Sequence, residues 1–181
     1  GVLETLTING GSNDDTITGT SNADAKNVID AGAGKDTVTL STANGSSVTL
    51  GDGIDTLSIT GVTGAGVIKA ADFTLGTGGD IISVNSAAAM TLGTAGAASI
   101  SNQLIVITSS AVDATAAAAL VSAGAAAEAA ILVINDATGV AELWYDADGA
   151  AGGEVLLASF ENITTVGSLQ DFSSANFGTW A

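Results

Sequence analysis

Aspartates that follow glycine-rich turns are the residues of this sequence best placed to do chemistry. Three segments share one pattern, in which small residues are followed by Asp, Thr, an aliphatic residue and then Thr or Ser: Gly10–Thr18, Ala31–Thr39 and Leu50–Ser58. Their aspartates are Asp15, Asp36 and Asp55, and a partial fourth copy contains Asp80. Carboxylates beside turns rich in backbone carbonyls offer hard oxygen ligands, which indicates cation binding.

Short strands must hold these turns in place. Strand-like runs alternate with Gly, Asn and Asp turns at roughly nine-residue spacing, which is typical of a β-solenoid with two strands in each coil. In each repeat the aliphatic residue lies two positions after the aspartate, as Ile17, Val38 and Leu57 do. We therefore expect the aliphatic side chains to form the core and the aspartates to lie at the turns.

The composition excludes several classes of function. Asp and Glu total 19 against three Lys and no Arg, so the net charge is −16. Nucleic-acid binding requires Lys and Arg to neutralise phosphates, and an anionic membrane surface is disfavoured for the same reason. The absence of His and Cys removes imidazole bases, thiol nucleophiles and zinc–thiolate sites. No apolar run reaches membrane-spanning length, and we predict no catalytic residue and no membrane insertion.

The composition changes after about residue 70. We predict a repeat region over residues 1–70 and a β-rich domain over residues 71–181. Its expected strands are Gln103–Thr108, Ile131–Asn135, Val140–Tyr145, Val155–Phe160 and Ile163–Val166. The Ala-rich segment Ala111–Ala130 lacks Pro and favours a helix. The predicted fold class is mainly β, a parallel β-roll or β-solenoid followed by a β-rich C-terminal domain with one Ala-rich helix.

The repeats match the nonapeptide G-G-x-G-x-D-x-U-x, in which U is aliphatic, so the chain resembles the RTX family of calcium-binding β-roll proteins. The resemblance implies Ca²⁺ held by turn carbonyls and an Asp carboxylate, with the next stacked turn completing the shell. Calcium is expected along one edge, because the other edge receives Asn27 and Ser46, which are poor ligands. A glycine- and aspartate-rich solenoid without metal is the alternative. The implied ligand set is Gly11, Asn13, Asp15, Gly32, Gly34, Asp36, Gly51, Gly53, Asp55 and Asp80.

A second resemblance covers the C-terminal half. The runs Asp72-Phe73, Gly79–Ser83, Glu142–Gly149, Leu156–Val166 and Gln170–Phe172 are similar to the C-terminal region of type I-secreted RTX proteins. In that family this region carries the uncleaved secretion signal, which an ABC transporter complex reads. The run Asp146-Ala-Asp-Gly149 also contains a fragment of EF-loop spacing, although a polar hairpin turn is the favoured interpretation.

Together these resemblances predict a non-catalytic, calcium-binding C-terminal region of a secreted bacterial surface-layer or cell-surface protein, in which calcium drives folding and assembly. The expected partners are calcium ions, the type I secretion apparatus and further copies of the chain in a surface lattice. The alternative is the RTX tail of a secreted metalloprotease or lipase whose catalytic domain lies upstream. A carbohydrate-binding module is disfavoured, because only two Trp and one Tyr are present to stack on sugars.

Overall fold

The computed structural model describes residues 4–42, 45–62, 66–85, 91–92, 103–107, 116, 128–148 and 153–180. Within these ranges the protein consists mainly of short β-strands. In chain order they are β1 (Glu4–Gly11), β2 (Thr16–Thr18), β3 (Ala25–Gly32), β4 (Thr37–Ser41), β5 (Ser46–Thr49), β6 (Thr56–Thr60), β7 (Ile68–Ala70), β8 (Ile81–Val84), β9 (Thr91–Leu92), β10 (Gln103–Val106), β11 (Ala129–Ile134), β12 (Ala141–Asp146), β13 (Val155–Phe160) and β14 (Phe177–Trp180). A turn of 3-10 helix, Ser168–Asp171, precedes β14.

Strands β1 to β8 wind as a parallel solenoid with two strands in each coil. Strands β1, β3, β5 and β7 pair in one sheet. Strands β2, β4, β6 and β8 pair in the facing sheet. Each strand of a sheet is thus followed, one coil later, by its parallel neighbour. The mainly β fold and the solenoid with two strands per coil, both predicted from the repeat spacing, are confirmed.

The aliphatic residue of each repeat points into the space between the two sheets. The register of the second sheet aligns Ile17, Val38, Leu57 and Ile82 in one column. Ile17 is 7% exposed and the other three are at most 1% exposed, because the first coil is covered by a neighbouring coil on one side only. Burying each such side chain contributes roughly 1.5–3 kcal/mol. The Thr and Ser residues between them remain partly exposed on the outer face.

The C-terminal strands add a further coil to the solenoid. Strand β13 pairs in parallel with β7, and β14 pairs in parallel with β8. The coil that ends with β8 at Val84 is therefore followed by one more. Strands β12, β11, β10 and β9 then continue the first sheet beyond β13, and β12 runs antiparallel to both of its neighbours, β11 and β13.

Only some of the strands and the helix predicted for the C-terminal half can be compared with the structure, and one of the strands is wrong. Strands are present near four of the predicted positions, as β10, β11, β12 and β13. The strand predicted at Ile163–Val166 is wrong, because this segment turns instead: the Ile163 N–H donates to the Phe160 carbonyl and the Ser168 N–H to the Thr165 carbonyl. The predicted helix within 111–130 lies almost entirely outside the described residues, and Ala129 and Ala130 belong to β11.

A shared core joins the repeats to the C-terminal strands. The cluster that contains Leu57 and Ile82 also contains Phe73, Phe160 and Trp180. The rings of Phe73 and Phe160 meet edge to face, with their centroids 4.8 Å apart. Both sheets thus continue across the boundary predicted after residue 70, and separate folding of residues 71–181 stays a prediction. Among the described residues, no helix is long and apolar enough to cross a membrane.

Candidate cation site

The turns that lead from the first sheet to the second stack along one edge of the solenoid. The N–H of Ala33 donates to the Gly11 carbonyl, and the N–H of Asp52 donates to the Gly32 carbonyl, both at 2.9 Å. Gly32 has φ +101° and Gly51 has φ +94°. A Cβ on either residue would overlap the carbonyl oxygen of the turn before it. Glycine is required here both for its backbone conformation and for the close approach of the next turn.

The predicted ligand residues form three columns along this edge. Gly11, Gly32 and Gly51 follow one another in successive turns, as do Asn13, Gly34 and Gly53, because a Cβ on each later glycine would overlap backbone of the residue before it in its column. The third column is that of the aspartates. The structure therefore brings all the predicted residues of the first three turns to one edge, and it places Asp80 at the corresponding turn of the fourth coil.

The aspartates are linked by hydrogen bonds from turn to turn. The backbone N–H of Asp15 donates to Oδ1 of Asp36 at 2.8 Å. The N–H of Asp36 donates to Oδ1 of Asp55 at 2.7 Å, and that of Asp55 donates to Oδ1 of Asp80 at 3.0 Å. Each carboxylate thus supports the turn before it. This column, Asp15, Asp36, Asp55 and Asp80, is called the aspartate column below.

Two oxygens of the aspartate column are buried without a partner. Asp36 and Asp55 are both 0% exposed, and neither Oδ2 atom accepts a hydrogen bond. A buried carboxylate oxygen without a donor is costly, because it has lost its hydration and gained nothing in return. A cation would supply the missing partner for both atoms. These two atoms therefore mark the aspartate column as a candidate site for a cation.

Burial disfavours the ionised form of two carboxylates in the aspartate column. Burial raises the pKa of Asp55, the N–H of Asp36 opposes this change, and the Asp80, Asp36 and Asp72 carboxylates raise the pKa further. Burial also raises the pKa of Asp80, against the N–H groups of Thr74 and Asp55. In both cases the ionised form is disfavoured chiefly because the buried carboxylate has lost its hydration.

Asp80, the last member of the aspartate column, differs from Asp36 and Asp55 in its hydrogen bonds. Oδ1 of Asp80 accepts the N–H of Asp55, and Oδ2 accepts the N–H of Thr74 at 2.8 Å. Both oxygens of this carboxylate are therefore already engaged by backbone donors, unlike those of Asp36 and Asp55. Asp80 was predicted as a ligand together with the others, and the structure gives it a hydrogen-bonding role in closing the fourth turn.

Sequence reasoning missed Asp72, an aspartate outside the column that accepts hydrogen bonds from the third turn. Oδ1 of Asp72 accepts the N–H of Leu50, and Oδ2 accepts the N–H of Gly51, both at 2.8 Å. The only signal in the sequence is its distance of 21 residues from Gly51, which is about the length of one coil. Asp14 is exposed, and its Oδ1 accepts the N–H of Lys35 at 2.8 Å.

The opposite edge carries neutral side chains that are already satisfied. Asn27 exchanges two hydrogen bonds with the backbone of Thr20, at 2.9 and 3.0 Å, and its Nδ2 donates to Oγ of Ser46 at 3.0 Å. Both side chains are buried. Hydrogen bonds of the Asn27 amide and the Ser46 hydroxyl hold this edge together, and neither position carries a carboxylate.

The run at the end of β12 forms a turn. The N–H of Asp148 donates to Oδ1 of Asp146 at 3.0 Å, which is an Asx turn, and Asp146 is buried whereas Asp148 is exposed. Nearby, Glu142 is buried and its carboxylate accepts hydrogen bonds from the side chains of Asn135, Thr138 and Trp144. These donors satisfy Glu142 and hold the β11–β12 hairpin.

The chemistry open to the site is oxygen coordination. Among the residues that the structure describes, no group of three or more His, Cys, Asp or Glu side chains is placed to hold a metal. A cation at the stacked turns would therefore be held by one or two carboxylates together with backbone carbonyls, a donor set that suits a large hard cation. Comparison of the chain with family models, curated proteins and solved structures finds no match.

Proposed function

We propose that this chain is a non-catalytic, calcium-binding region of a secreted bacterial surface protein, and that calcium drives its folding and assembly. The observation that carries the proposal is the pair of buried, unpartnered oxygens, Oδ2 of Asp36 and Oδ2 of Asp55. They lie in stacked turns in which backbone amides and carbonyls of successive coils are in contact. The resemblance of the repeats to RTX sequences supports the same cation.

Calcium fits this donor set better than other common cations. Ca²⁺ accepts about six to eight oxygen ligands in flexible geometry, including backbone carbonyls, whereas Mg²⁺ requires a tighter octahedron and zinc favours nitrogen and sulfur. The chain has no His and no Cys. The carbonyl columns of the stacked turns and the carboxylates of Asp36 and Asp55 supply oxygen only.

Folding of the repeats is coupled to the cation in this proposal. The aspartate column places like charges in successive turns, and they repel one another unless a cation lies between them. Each coil of the repeat region buries only a few medium-sized aliphatic side chains, which is a small gain against the entropy of ordering the chain. Metal binding then becomes part of the folding free energy.

The proposed location follows from the same coupling. Repeats that stay unfolded at low intracellular calcium can be threaded through a type I exporter, and external calcium then folds them and opposes their return. The resemblance of the C-terminal half to type I-secreted RTX proteins supports this route. The strongly acidic composition keeps the unfolded chain soluble. Calcium between copies would then support self-association in a surface lattice.

The proposal is tested by a calcium titration of the chelator-treated chain. Calorimetry measures binding, circular dichroism measures strand content, hydrogen exchange locates the folding, and light scattering reports assembly. We expect binding at or below millimolar calcium, together with new exchange protection over residues 4–60. Absence of binding at millimolar calcium, or full protection of these residues in chelator, would contradict the proposal.

A further inference from the structure

The last turn of the solenoid contains a buried amide where the earlier turns contain carboxylates. Asn176 is 0% exposed and immediately precedes β14, as Asp80 immediately precedes β8. Its backbone carbonyl accepts the N–H of Ile82 at 2.9 Å. The side chain thus lies at the end of the aspartate column, against the turn that connects β7 to β8.

Three carbonyl oxygens converge on the amide nitrogen of Asn176. Nδ2 lies 2.8 Å from the carbonyl oxygen of Asp80 and 3.3 Å from those of Thr74 and Gly76. The other end of the amide is an acceptor, because Oδ1 receives the N–H of Gly76 at 2.9 Å and that of Ser173 at 3.2 Å. One neutral side chain therefore supplies hydrogen-bond donors to a ring of carbonyls and an acceptor to the backbone beside it.

This arrangement contrasts with the earlier turns. Asp36 and Asp55 each retain a buried oxygen without a partner, whereas both oxygens of Asp80 accept backbone N–H groups. In the turn that connects β7 to β8, the chain itself supplies donors to the carbonyls and to both oxygens of Asp80. Carbonyl oxygens that converge on one point require either donors or a cation, since their partial charges repel.

We propose that the amide of Asn176 takes, in the last turn, the place that a calcium ion takes in the earlier turns, so that the C-terminal coil docks without metal. This inference rests on the proposed calcium function of the first three turns. The solenoid then has a metal-dependent repeat region and a metal-independent end. Removing the donor nitrogen converts the carbonyls of Thr74, Gly76 and Asp80 into a further site for a hard cation.

The test is the variant Asn176→Asp in the full chain. The carboxylate keeps the acceptor role toward Gly76 and Ser173 but replaces the donor nitrogen by a negative oxygen that faces three carbonyls. We expect the variant to bind one more calcium ion per chain than the wild type. We also expect exchange protection of residues 173–180 to persist in chelator in the wild type, and to be lost in the variant until calcium is added.

Asn162→Asp is the matched control, because Asn162 is exposed and its Nδ2 donates to a single carbonyl, that of Phe73, at 3.0 Å. It should leave both the stoichiometry and the protection of residues 173–180 unchanged. If the wild type binds calcium but Asn176→Asp binds no additional ion and stays protected in chelator, the inference fails while the calcium function stands. If the wild type binds no calcium, the proposed function itself fails and this inference fails with it.

Discussion

At the scale of single residues, the decisive feature is that only one of the two oxygens of Asp36 and of Asp55 has a hydrogen-bond partner. Oδ1 of Asp36 accepts a backbone N–H from the preceding turn, and Oδ2 of the same group is buried and unpartnered. One oxygen therefore maintains the stacking of the turns, and the other is available to a cation. The same division holds for Asp55.

This division predicts opposite effects of Asp36→Asn with and without calcium. The amide keeps an oxygen for the N–H of Asp15 but removes the buried charge, so the metal-free variant should unfold at higher denaturant concentration than the wild type. Calcium affinity should fall about tenfold or more, because the charge of the ligand set sets the affinity of oxygen sites. Asp36 contributes to the turns on both sides of it, so the loss should exceed that of Asp15→Asn.

The measurements are calorimetry for calcium affinity and denaturant unfolding in chelator and in calcium. Asp30→Asn is the control, because Asp30 lies on the exposed face of β3 and the substitution removes the same charge. An Asp36→Asn variant that binds calcium as tightly as Asp30→Asn would count against Asp36 as a ligand.

The raised pKa values of Asp55 and Asp80 predict how the metal-free chain responds to pH. Both groups bind a proton more tightly in the folded state than at their ordinary value of 3.8. Between that value and the raised pKa, the folded state holds more protons than the unfolded state, so stability falls as pH rises through this window. Metal-free protein should therefore become more stable on acidification from neutral pH.

Unfolding of the chelated chain at a series of pH values measures this dependence. Saturating calcium should weaken it, because a bound cation favours the ionised carboxylates. A chelated wild type whose stability is constant from neutral pH down to about pH 4, near the ordinary pKa of Asp, would show that burial of these groups has no energetic consequence.

At the scale of elements, the turn and the strand that follows it act as one unit. The turn brings backbone groups of successive coils into contact, and the strand after it places an aliphatic residue in the core. Asp72 reinforces this unit from outside by accepting two N–H groups of the third turn. A substitution that pushes two stacked turns apart should therefore also disturb the strands that follow those turns.

The variant Gly32→Ala tests the close stacking of turns. The new Cβ would overlap the Gly11 carbonyl, and φ at this position is +101°, so the free energy of unfolding should fall by about 2–4 kcal/mol. Gly139→Ala is the matched control, since Gly139 has φ +72° and open space around its Cβ position. It should cost only about 1–2 kcal/mol. Equal losses for the two variants, measured by denaturant unfolding in calcium, would show that stacking imposes no constraint at Gly32.

At the scale of the whole molecule, the C-terminal strands extend the solenoid that the repeats begin. Strands β13 and β14 pair with β7 and β8, and Trp180 donates its indole N–H to the Ile82 carbonyl at 3.3 Å. The C-terminal residues thus serve as the last coil of the folded protein, and the predicted secretion signal lies in the same segment. In the proposed export route, an exporter would read that coil in the unfolded chain before the coil docks.

This arrangement leads to a prediction about export. Residues 71–181, fused behind a slow-folding passenger, should direct the passenger out of a host that has a cognate type I exporter. The readout is passenger in the medium against passenger in the cytoplasm, and an established RTX tail on the same passenger is the positive control. Retention of this fusion together with export of the control would remove the secretion role and leave the calcium proposal standing.

Much of the solenoid could be predicted from local sequence, because its contacts repeat at short range. The alternation of aliphatic and hydroxyl residues determines which side chains face the core, and the glycines identify turns that must visit positive φ. The spacing of 21 and 19 residues places Asp15, Asp36 and Asp55 on one edge. These features depend on neighbours within one or two coils, so the sequence alone determined them.

Only the tertiary structure showed how the column ends and which oxygens remain free. Asn176 contacts the turn around Gly76 across 100 residues, and Asp72 contacts Gly51 across 21. No local pattern marks these residues, because their partners are backbone groups of other coils. The difference between Asp36 and Asp80 arises in the same way: both follow a glycine-rich turn, but only at Asp80 does the fold bring a second N–H to the remaining oxygen.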